Sequence, residues 1–412
     1  MTTVRALIAT TVKKGWQVLQ LDVNSAFLHG DLHEGLVVEA PGLVCKLNKS
    51  LYGLKQASRQ CEKLTEALCS RGYTHSMLDY SLFYKKTEGL VVFVAVYVDD
   101  VLVTGTHLQD IESLKTILHN TFKIKDLRKL HYFLGLEVQY TEKGVLMSQR
   151  KSTMDLLKEF GCTDCPPMTS PLDSSMKLKA DEGALADPSY YRKLIGKLNF
   201  LTNTRLDIAY GVQHLSQFMQ SPREPHLKAA YHVLRYLKGD PSLGILLSND
   251  ADYRVKAFCD SDWATCPQSR KSVSGYIVLL GGSPISWKSK KQSTIFLSSA
   301  EAEYRSARMV VGEIVWLARL LTELTVPLAL PIPILCDSKV ALHIARNPMF
   351  HERTKHIEVD CHFVRDQLQE GLISLHHVST NDQLADIFTK SLTGIKHSTL
   401  LGKLEVSSSP PT

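Results

Sequence analysis

The stretch Leu90-Val91-Val92-Phe93-Val94-Ala95-Val96-Tyr97-Val98-Asp99-Asp100 decides the fold of the first part of this chain. Its nine apolar residues are rich in β-branched side chains, which predicts a buried strand. The apolar pattern resumes at Val101 after the two aspartates, so the acidic pair is predicted at a tight turn between strands. Two adjacent carboxylates repel each other, and a divalent metal ion is the usual partner that offsets this repulsion. Read alone, however, the pair is most simply a polar hairpin tip.

A third carboxylate, Asp22, ends an earlier predicted strand in the context Leu21-Asp22-Val23-Asn24-Ser25-Ala26-Phe27. Side chains alternate along a strand, so Asp22 can meet Asp99 and Asp100 only if the two strands are neighbours in one sheet. Two metal ions held by such carboxylates would suit nucleotidyl transfer, because they stabilise the attacking 3′-hydroxyl and the leaving pyrophosphate.

The second part of the chain alternates predicted strands and helices and carries four spaced acids. Asp260 ends a strand, Glu303 starts a helix, Asp337 ends a strand and Asp386 opens the last helix. Acids in such positions can converge on one rim of an α/β sheet and hold two metal ions. Each acid also has a plainer reading, as a favourable partner of a helix dipole or as an ordinary loop residue.

Two near neighbours compete with these assignments. Asp260 is preferred to Asp262 because it directly ends the predicted strand. Glu301 is likewise a near neighbour of Glu303.

The first part of the chain resembles the reverse transcriptase of copia-type retrotransposons. The resemblance rests on Gln20-Leu21-Asp22-Val23-Asn24-Ser25-Ala26-Phe27-Leu28-His29-Gly30, Leu51-Tyr52-Gly53-Leu54-Lys55-Gln56, Tyr97-Val98-Asp99-Asp100 and Phe133-Leu134-Gly135-Leu136-Glu137, in that order. It implies that Asp22, Asp99 and Asp100 are catalytic, with Asp22 and Asp99 as direct metal ligands. It also implies that Phe27 packs against the sugar of the incoming nucleotide, although alone Phe27 reads as a core residue. Gly53 and Gln56 would lie near the nucleotide pocket.

The second part resembles the RNase H domain of the same elements, through Pro284–Gln292, Arg353–Ile357 and Gln383–Lys390. The resemblance implies that Asp260, Glu303, Asp337 and Asp386 are catalytic residues that hold Mg²⁺, or Mn²⁺ as an alternative. It also implies that Glu303 is preferred to Glu301, because its spacing to the small residue at position 306 fits the helix of the family. Candidate phosphate contacts, for which ordinary solvated charge is the other reading, are Lys288, Lys290, Lys291, Lys355 and His356. His376 and His377 lie on the strand before the last acid and are assigned no role.

The expected fold class is α+β and α/β, with a palm, helical thumb and connection regions, and an RNase H-like domain. The palm, an antiparallel sheet with helices and partial fingers, would cover residues 1–150. A mostly helical thumb and connection region, with a linker at 162–188, would follow at 151–250. The RNase H-like α/β domain would cover 251–395, and the small polar tail 396–412 would be disordered.

Three departures from the family leave two functions open. The chain starts at the helix before Asp22, so the fingers segment that holds the nucleotide triphosphate is expected to be absent. The segment Pro41–Leu47 is shorter than in the family, and Cys61 stands where a Trp is usual. One function is an active reverse transcriptase with RNase H, acting on an RNA template, a DNA primer, RNA–DNA hybrids and deoxynucleoside triphosphates. The other is a truncated, polymerase-inactive remnant that only binds nucleic acid.

Composition restricts the possible partners and the cellular compartment less strongly than the motifs restrict the function. A net charge of +6 is compatible with a polyanion partner without proving one. Nine scattered cysteines favour reduced thiols, and the pair Cys162 and Cys165 has no second ligand pair nearby, so it reads as a loop with two thiols. Residues 1–16 do not form a signal peptide. We therefore expect an intracellular protein, cytoplasmic in a virus-like particle or nuclear, without a membrane partner. The sequence has no nucleotide-binding glycine loop of a dehydrogenase or kinase.

Overall fold

The computed structural model describes residues 1–23, 31–40, 43–49, 60–346 and 358–408. The chain divides into two compact units, Lys14–Leu134 and Met1–Lys13 with Gly135–Thr412. The first unit differs from the predicted palm, residues 1–150, because helix α1 (Thr2–Lys14) belongs to the larger unit as far as Lys13. Its Arg5 Nε donates to the carbonyl of Ile285 at 2.9 Å, and Lys13 Nζ lies 2.5 Å from Asp250 Oδ1. Partners so distant in sequence could not be read from local patterns.

The smaller unit is built on one antiparallel sheet. Its elements are β1 (Val18–Val23), β2 (Asp31–Ala40), β3 (Leu43–Lys49), α2 (Gln60–Cys69), β4 (Thr74–His75), β5 (Leu82–Thr87), β6 (Leu90–Tyr97), β7 (Asp100–Gly105), α3 (Leu108–Phe122), β8 (Ile124–Lys129) and β9 (Tyr132–Phe133). Six strands follow the order β4-β5-β6-β7-β1-β8, and β2 pairs with β3. The predicted buried strand, now β6, and the strand predicted after the acidic pair, now β7, are confirmed, whereas β8 was not predicted.

The core of this unit lies between the sheet and its helices. Val92 and Val94 of β6 alternate onto the buried face, where they share one core with Leu114 and Leu118 of α3. The central position of β6 and β7 follows from their apolar β-branched sequences, which suit a strand with neighbours on both sides. The β6–β7 turn therefore lies beside the end of β1.

The larger unit contains a second set of strands and most of the helices. After α1 come β10 (Leu136–Thr141), β11 (Gly144–Ser148), α4 (Arg150–Glu159), α5 (Pro188–Leu201), α6 (Ala209–Ser216), α7 (Glu224–Gly239), β12 (Leu243–Ser248), β13 (Val255–Asp262), β14 (Val273–Leu280), β15 (Ser283–Lys291), α8 (Ser299–Glu323), β16 (Ile332–Cys336), α9 (Lys339–Arg346), α10 (Glu358–Gln369), β17 (Ile373–His377), α11 (Gly394–Gly402) and β18 (Val406–Ser408). Two short 3-10 helices span Leu206–Ile208 and Leu384–Phe388.

A five-stranded mixed sheet organises the second half of this unit. Its order is β15-β14-β13-β16-β17, with β13 antiparallel to β14 and parallel to β16. Helix α8 buries its apolar side, including Val310 and Ile314, and contacts β13 and β14. Together with the antiparallel sheet of the smaller unit, this arrangement confirms the predicted fold class, α+β and α/β.

Helices α4 to α7 share a separate core that includes the segment predicted as a linker. Residues 162–188 are irregular up to the start of α5, yet Leu172 and Leu178 are buried in this core together with Cys162. The segment is therefore packed along the helices, because its scattered apolar side chains find a buried face despite many Pro, Ser and Asp residues.

The predicted disordered tail is wrong for residues 396–408. Helix α11 buries His397 and Leu400, and β18 pairs antiparallel with β12, with Ser408 opposite Leu243. Strand β12 was itself missed, although Leu243–Ser248 is apolar. The tail looks featureless in sequence because its order comes from pairing with a strand far away along the chain.

In the described part of the chain, no helix combines the length and the apolar character that crossing a membrane requires.

Candidate active sites

Three predicted carboxylates meet at one end of the smaller unit's sheet. Asp22 of β1 is paired directly with Asp100 of β7, and the Val23 N–H donates to the Asp99 carbonyl at 2.8 Å. Strand β1 ends one residue later than predicted, at Val23, and Asp100 begins β7, so Val98 and Asp99 form the two-residue turn. The sheet thus brings together Asp22, Asp99 and Asp100, which are far apart in sequence.

The turn holds Asp99 in an unusual setting. Val98 has a φ of 57°, a conformation that β-branched residues rarely adopt and that two-residue hairpin turns require at their first position. Burial, followed by the charges of Asp22 and Asp100, raises the pKa of Asp99. Its Oδ1 is buried and accepts no hydrogen bond within the described part of the chain. A cation would relieve both the charge repulsion and the unmet hydrogen-bonding capacity.

Neighbouring side chains fix the hairpin. Gln20 Nε2 donates to Asp100 Oδ1 at 2.9 Å, which orients one carboxylate of the set. The ring of Tyr97 packs edge-on against Phe133, with centroids 5.6 Å apart. Three predicted nucleotide-site residues lie outside the described residues, namely Phe27, Gly53 and Gln56.

The four predicted acids of the larger unit also converge. Asp260 interacts electrostatically with Asp386 and Asp337, and Glu303 interacts with Asp260 and Asp337. Two local predictions need correction. Strand β13 continues to Asp262, so Asp260 lies within the strand and shares a face with Asp262. Asp386 lies inside the 3-10 helix Leu384–Phe388 and does not open the last helix.

Asp260 is buried at the centre of this cluster. Burial raises its pKa to about 6, while the Lys390 ammonium lowers it and the charge of Asp386 raises it further. Its Oδ2 accepts a hydrogen bond from Thr389 Oγ1, and Lys390 Nζ lies 3.3 Å away. The hydroxyl of Ser306, the small residue noted in the sequence, donates to the Asp260 carbonyl at 2.7 Å. Helix α8 therefore fixes this point of the strand.

The two glutamates at the start of α8 do different things. Glu301 caps the helix: its N–H donates to Ser298 Oγ at 3.3 Å, and its Oε2 accepts from the Leu297 N–H at 3.2 Å. Glu303 is buried, and this burial, followed by the charge of Asp260, raises its pKa well above the usual range of a carboxyl group. Of the two glutamates, Glu303 is the one that lies with the other acids.

Two lysines that the sequence analysis missed bind the last acid. Asp386 is fully buried, with Lys390 Nζ 2.8 Å from its Oδ1 and Lys396 Nζ 2.5 Å from its Oδ2. Lys390 also reaches Asp260, and these carboxylates raise the pKa of Lys390 above its usual value. The spacing of four between Asp386 and Lys390 was the available signal, since residues four apart share a helical face.

Two buried thiols, also missed, lie beside the acids. Cys336 Sγ and carboxylate oxygens of Glu303 and Asp337 all lie within 4.8 Å of one another, the arrangement of a group that could hold a metal ion. Cys259 on β13 interacts with Cys336 on the neighbouring strand, and this interaction, followed by burial, raises the pKa of Cys259. Both thiols precede a predicted catalytic aspartate, a signal that the sequence analysis left unused.

The predicted phosphate contacts divide into three groups. Lys288 and Lys290 are exposed on one face of β15. Lys291 points elsewhere and donates to Gln217 Oε1 at 2.7 Å and Cys266 Sγ at 2.9 Å, so its ammonium is already engaged. Lys355 and His356 lie outside the described residues.

Both clusters have the donors that hard divalent cations prefer. Each brings several carboxylates together, and carboxylate oxygens suit Mg²⁺ and Mn²⁺. Burial, followed by the charges of neighbouring carboxylates, raises the pKa values of Asp99 and Asp260. The residues present therefore fit divalent metal ions at both places.

Known proteins resemble this chain along its whole length. The reverse transcriptase (RNA-dependent DNA polymerase) family matches residues 1–174. The retrovirus-related Pol polyprotein from transposon RE1 of Arabidopsis thaliana is 42% identical over 100% of this chain, which spans 29% of that polyprotein. A transposon Ty5-1 protein of Saccharomyces cerevisiae is 32% identical, over 71% of this chain and 100% of its own length.

Solved structures give weaker matches. LC11-RNase H1, isolated from compost, is 12% identical and covers 33% of this chain and 93% of its own, with a TM-score of 0.25. The foamy viral protease-reverse transcriptase in complex with dsDNA is 12% identical and covers 88% of this chain and 68% of its own, with a TM-score of 0.22. TM-scores this low support no conclusion about the fold.

Proposed function

Because this chain belongs to the copia-type retrotransposon Pol family, we propose that it carries two activities of such a polyprotein. The unit Lys14–Leu134 contributes the palm of a reverse transcriptase, which copies RNA or DNA templates into DNA. The sheet of β13 to β17 contributes an RNase H that cleaves the RNA strand of RNA–DNA hybrids. The substrates of the reverse transcriptase would be an RNA template, a DNA primer and deoxynucleoside triphosphates.

The observation that carries this proposal is the convergence of acids in each unit. In the larger unit, four acids from separate segments interact electrostatically, and Asp260 and Asp386 are almost completely buried. Burying several like charges is unfavourable and rarely serves stability. A site that binds cations for catalysis accounts for this arrangement in physical terms.

In the polymerase site, Asp22 and Asp99 are the proposed metal ligands, and Asp100 supports them. Gln20 holds Asp100, and the strained turn at Val98 keeps the Asp99 carboxylate at the end of the sheet. The sheet pairing and the turn thus place these carboxylates in advance, as a preorganised site requires.

In the RNase H site, Asp260, Glu303, Asp337 and Asp386 are the proposed ligands. Bound Mg²⁺ or Mn²⁺ would supply an activated water and stabilise the leaving 3′-oxygen of the RNA. Thr389 and Ser306 orient Asp260 through its carboxylate and its carbonyl. Lys390 Nζ and Lys396 Nζ each contact one carboxylate oxygen of Asp386 and so orient its side chain.

The exposed side of β15 is the proposed contact for the hybrid backbone. Lys288 and Lys290 alternate onto one face of the strand, where their ammonium groups are exposed to solvent. Phosphate contacts of this kind add affinity without sequence preference and weaken as salt rises.

The test assays both activities on one preparation. A primer-extension reaction and an RNA–DNA hybrid cleavage reaction are run with Mg²⁺, with Mn²⁺ and with EDTA. We expect metal-dependent cleavage confined to the RNA strand and metal-dependent extension that requires deoxynucleotides. Cleavage that persists in EDTA would contradict the proposed RNase H site, and template-independent extension would contradict the proposed polymerase site.

A further inference from the structure

A thiol lies among the carboxylates of the proposed RNase H site. Cys336 Sγ lies within 4.8 Å of carboxylate oxygens of both Glu303 and Asp337, and its separation from Glu303 Oε2 is 3.9 Å. Cys336 is 1% exposed, whereas the acids lie nearer the surface: Glu303 is 8% exposed and Asp337 is partly exposed. The sulfur is therefore the most buried of the three donor atoms, and the two carboxylates lie nearer the surface.

The backbone holds this sulfur in place. Cys336 is the last residue of β16, whose register with β17 is fixed up to the Cys336–His377 pair. The Ser338 N–H donates to Cys336 Sγ at 3.4 Å, so the sulfur already acts as an acceptor on the site's side. The thiol of Cys259 lies against it from the neighbouring strand β13.

One sulfur and two carboxylates make a mixed donor set. Mg²⁺ and Mn²⁺ prefer oxygen ligands and gain little from sulfur. Zn²⁺ and Cd²⁺ bind thiolate, and Zn²⁺ accepts three protein ligands from Cys, His, Asp and Glu with a fourth position left for water. The three side chains therefore match a thiophilic cation better than they match magnesium.

We propose that Glu303, Cys336 and Asp337 form a binding site for thiophilic divalent cations of the Zn²⁺ and Cd²⁺ class, which exclude Mg²⁺ from the same carboxylates. Binding replaces the thiol proton of Cys336, which leaves to solvent, with a metal–sulfur bond. The bound ion occupies Glu303 and Asp337, so neither remains available as a magnesium ligand. The binding itself stands on the geometry of the three residues, whereas its inhibitory effect rests on the proposed RNase H function.

The test is a titration of the metal-free protein with Cd²⁺, followed by the ultraviolet charge-transfer absorbance of cadmium–thiolate bonds. The titration uses a Cys165→Ser background, which removes a second pair of neighbouring thiols, Cys162 with Cys165. We expect one saturable charge-transfer signal, and we expect Mg²⁺ in excess to raise the apparent dissociation constant for Cd²⁺.

The decisive variant is Cys336→Ser in the same background, with Cys361→Ser as the matched control at another buried thiol. Cys336→Ser should raise the Cd²⁺ dissociation constant at least about tenfold, since even indirect supports of metal ligands are worth that much. Its Mg²⁺ dissociation constant, measured by thermal shift, should change less than about threefold, because magnesium gains little from sulfur. Cys361→Ser should leave both constants unchanged.

Three outcomes would overturn the proposal. The first is no cadmium–thiolate signal at saturating Cd²⁺, and the second is an unchanged signal in Cys336→Ser. The third needs no variant. If Mg²⁺ does not change the Cd²⁺ affinity of the parent protein, the two ions do not share Glu303 and Asp337. Cadmium binding as expected, in a protein that cleaves no hybrid with Mg²⁺, would support the site and contradict only the proposed RNase H function.

Discussion

The Asp260 side chain is 2% exposed and lies among other acids, so its ionised form destabilises the folded state. A pKa raised to about 6 means that the folded state binds this proton more tightly than the unfolded chain does. The resulting stability is fully present below about pH 4 and is lost as the pH rises through about 6.

We therefore expect the metal-free protein to lose stability relative to Asp260→Asn as pH rises from about 4 to about 6. The relative loss should approach about 3 kcal/mol, which corresponds to a shift of about two pKa units. Denaturant melts of both proteins in EDTA, at several pH values, measure it. Because the other acids titrate in both proteins, the difference between the two curves reports Asp260 together with its effect on neighbouring acids such as Glu303. Parallel curves would show that the carboxyl titrates normally.

The same substitution separates catalysis from stability. Asp260→Asn should lower the rate of hybrid cleavage by several orders of magnitude, since it removes metal-based stabilisation of the transition state worth several kcal/mol. Its metal-free stability should be equal or higher, because one repelling charge is gone. Asp262→Asn, two residues along the same face of β13, should be much milder. Cleavage assays and thermal melts, each with and without Mg²⁺, compare the two variants. An inactive Asp262→Asn beside an active Asp260→Asn would show that Asp262 is the metal ligand.

Individual acids were predictable from the sequence, whereas their cationic and thiol neighbours were not. The positions of Asp260, Glu303, Asp337 and Asp386 followed from where each stands in its strand or helix and from the family resemblance. Lys396 reaches Asp386 from α11, a helix in a segment expected to be disordered, so no pattern could connect them. Cys336 was overlooked because an apolar-looking residue at a strand end reads as core.

At the scale of elements, helix α1 depends on one buried guanidinium. Arg5 Nε and Nη1 donate to the carbonyls of Ile285 and Asn203, and the guanidinium lies 3.8 Å from the ring centroid of Trp287. This burial lowers the pKa of Arg5 to about 10, against the opposing charge of Glu313. A planar group with several fixed donors is needed to satisfy two carbonyls and stack on an indole.

Arg5→Lys should therefore destabilise the larger unit by about 1–3 kcal/mol, because at least one buried carbonyl loses its donor. The same change at Arg319, which is exposed on α8, should stay within about 0.5 kcal/mol. Urea denaturation, with hybrid cleavage as a second readout of this unit, compares the two variants. Equal effects would mean that the Arg5 contacts contribute nothing specific.

Elements with strong local patterns were predicted well, and those that depend on distant partners were not. The apolar run Leu90–Val98 matches β6 closely, and the helix predicted at Glu303 is α8, which begins four residues earlier at Ser299. Strands β8 and β12 were missed because each is short and is defined by a neighbouring strand, β1 and β11 respectively. Burial of Leu172 and Leu178 in the irregular segment likewise depends on helices that follow it in sequence.

At the scale of the whole molecule, the two candidate sites belong to different compact units. Asp22, Asp99 and Asp100 lie in Lys14–Leu134, and the acids of the proposed RNase H site lie in the larger unit. Substitutions in separate sites with no shared partners are expected to have independent effects.

Asp99→Asn should therefore abolish primer extension and leave hybrid cleavage nearly unchanged, while Asp260→Asn should do the opposite. The double variant should lose both activities and show the sum of the two single stability changes to within about 0.5 kcal/mol. Both assays and melts are needed on all three variants. Loss of both activities in Asp99→Asn, with an unchanged melt, would contradict the two-site proposal.

The attachment of α1 to the larger unit has a consequence for how the protein is made. Arg5 and its acceptor at Ile285 are 280 residues apart, so the ribosome completes the helix long before it supplies that partner. At roughly 5–20 residues per second, the wait is roughly 14–56 seconds. During this time Arg5 lacks two of its native contacts, the Ile285 carbonyl and the Trp287 ring. Chaperones that recognise short apolar segments would have an opportunity to bind Val4, Leu7 and Ile8, which the folded protein buries, on the nascent chain.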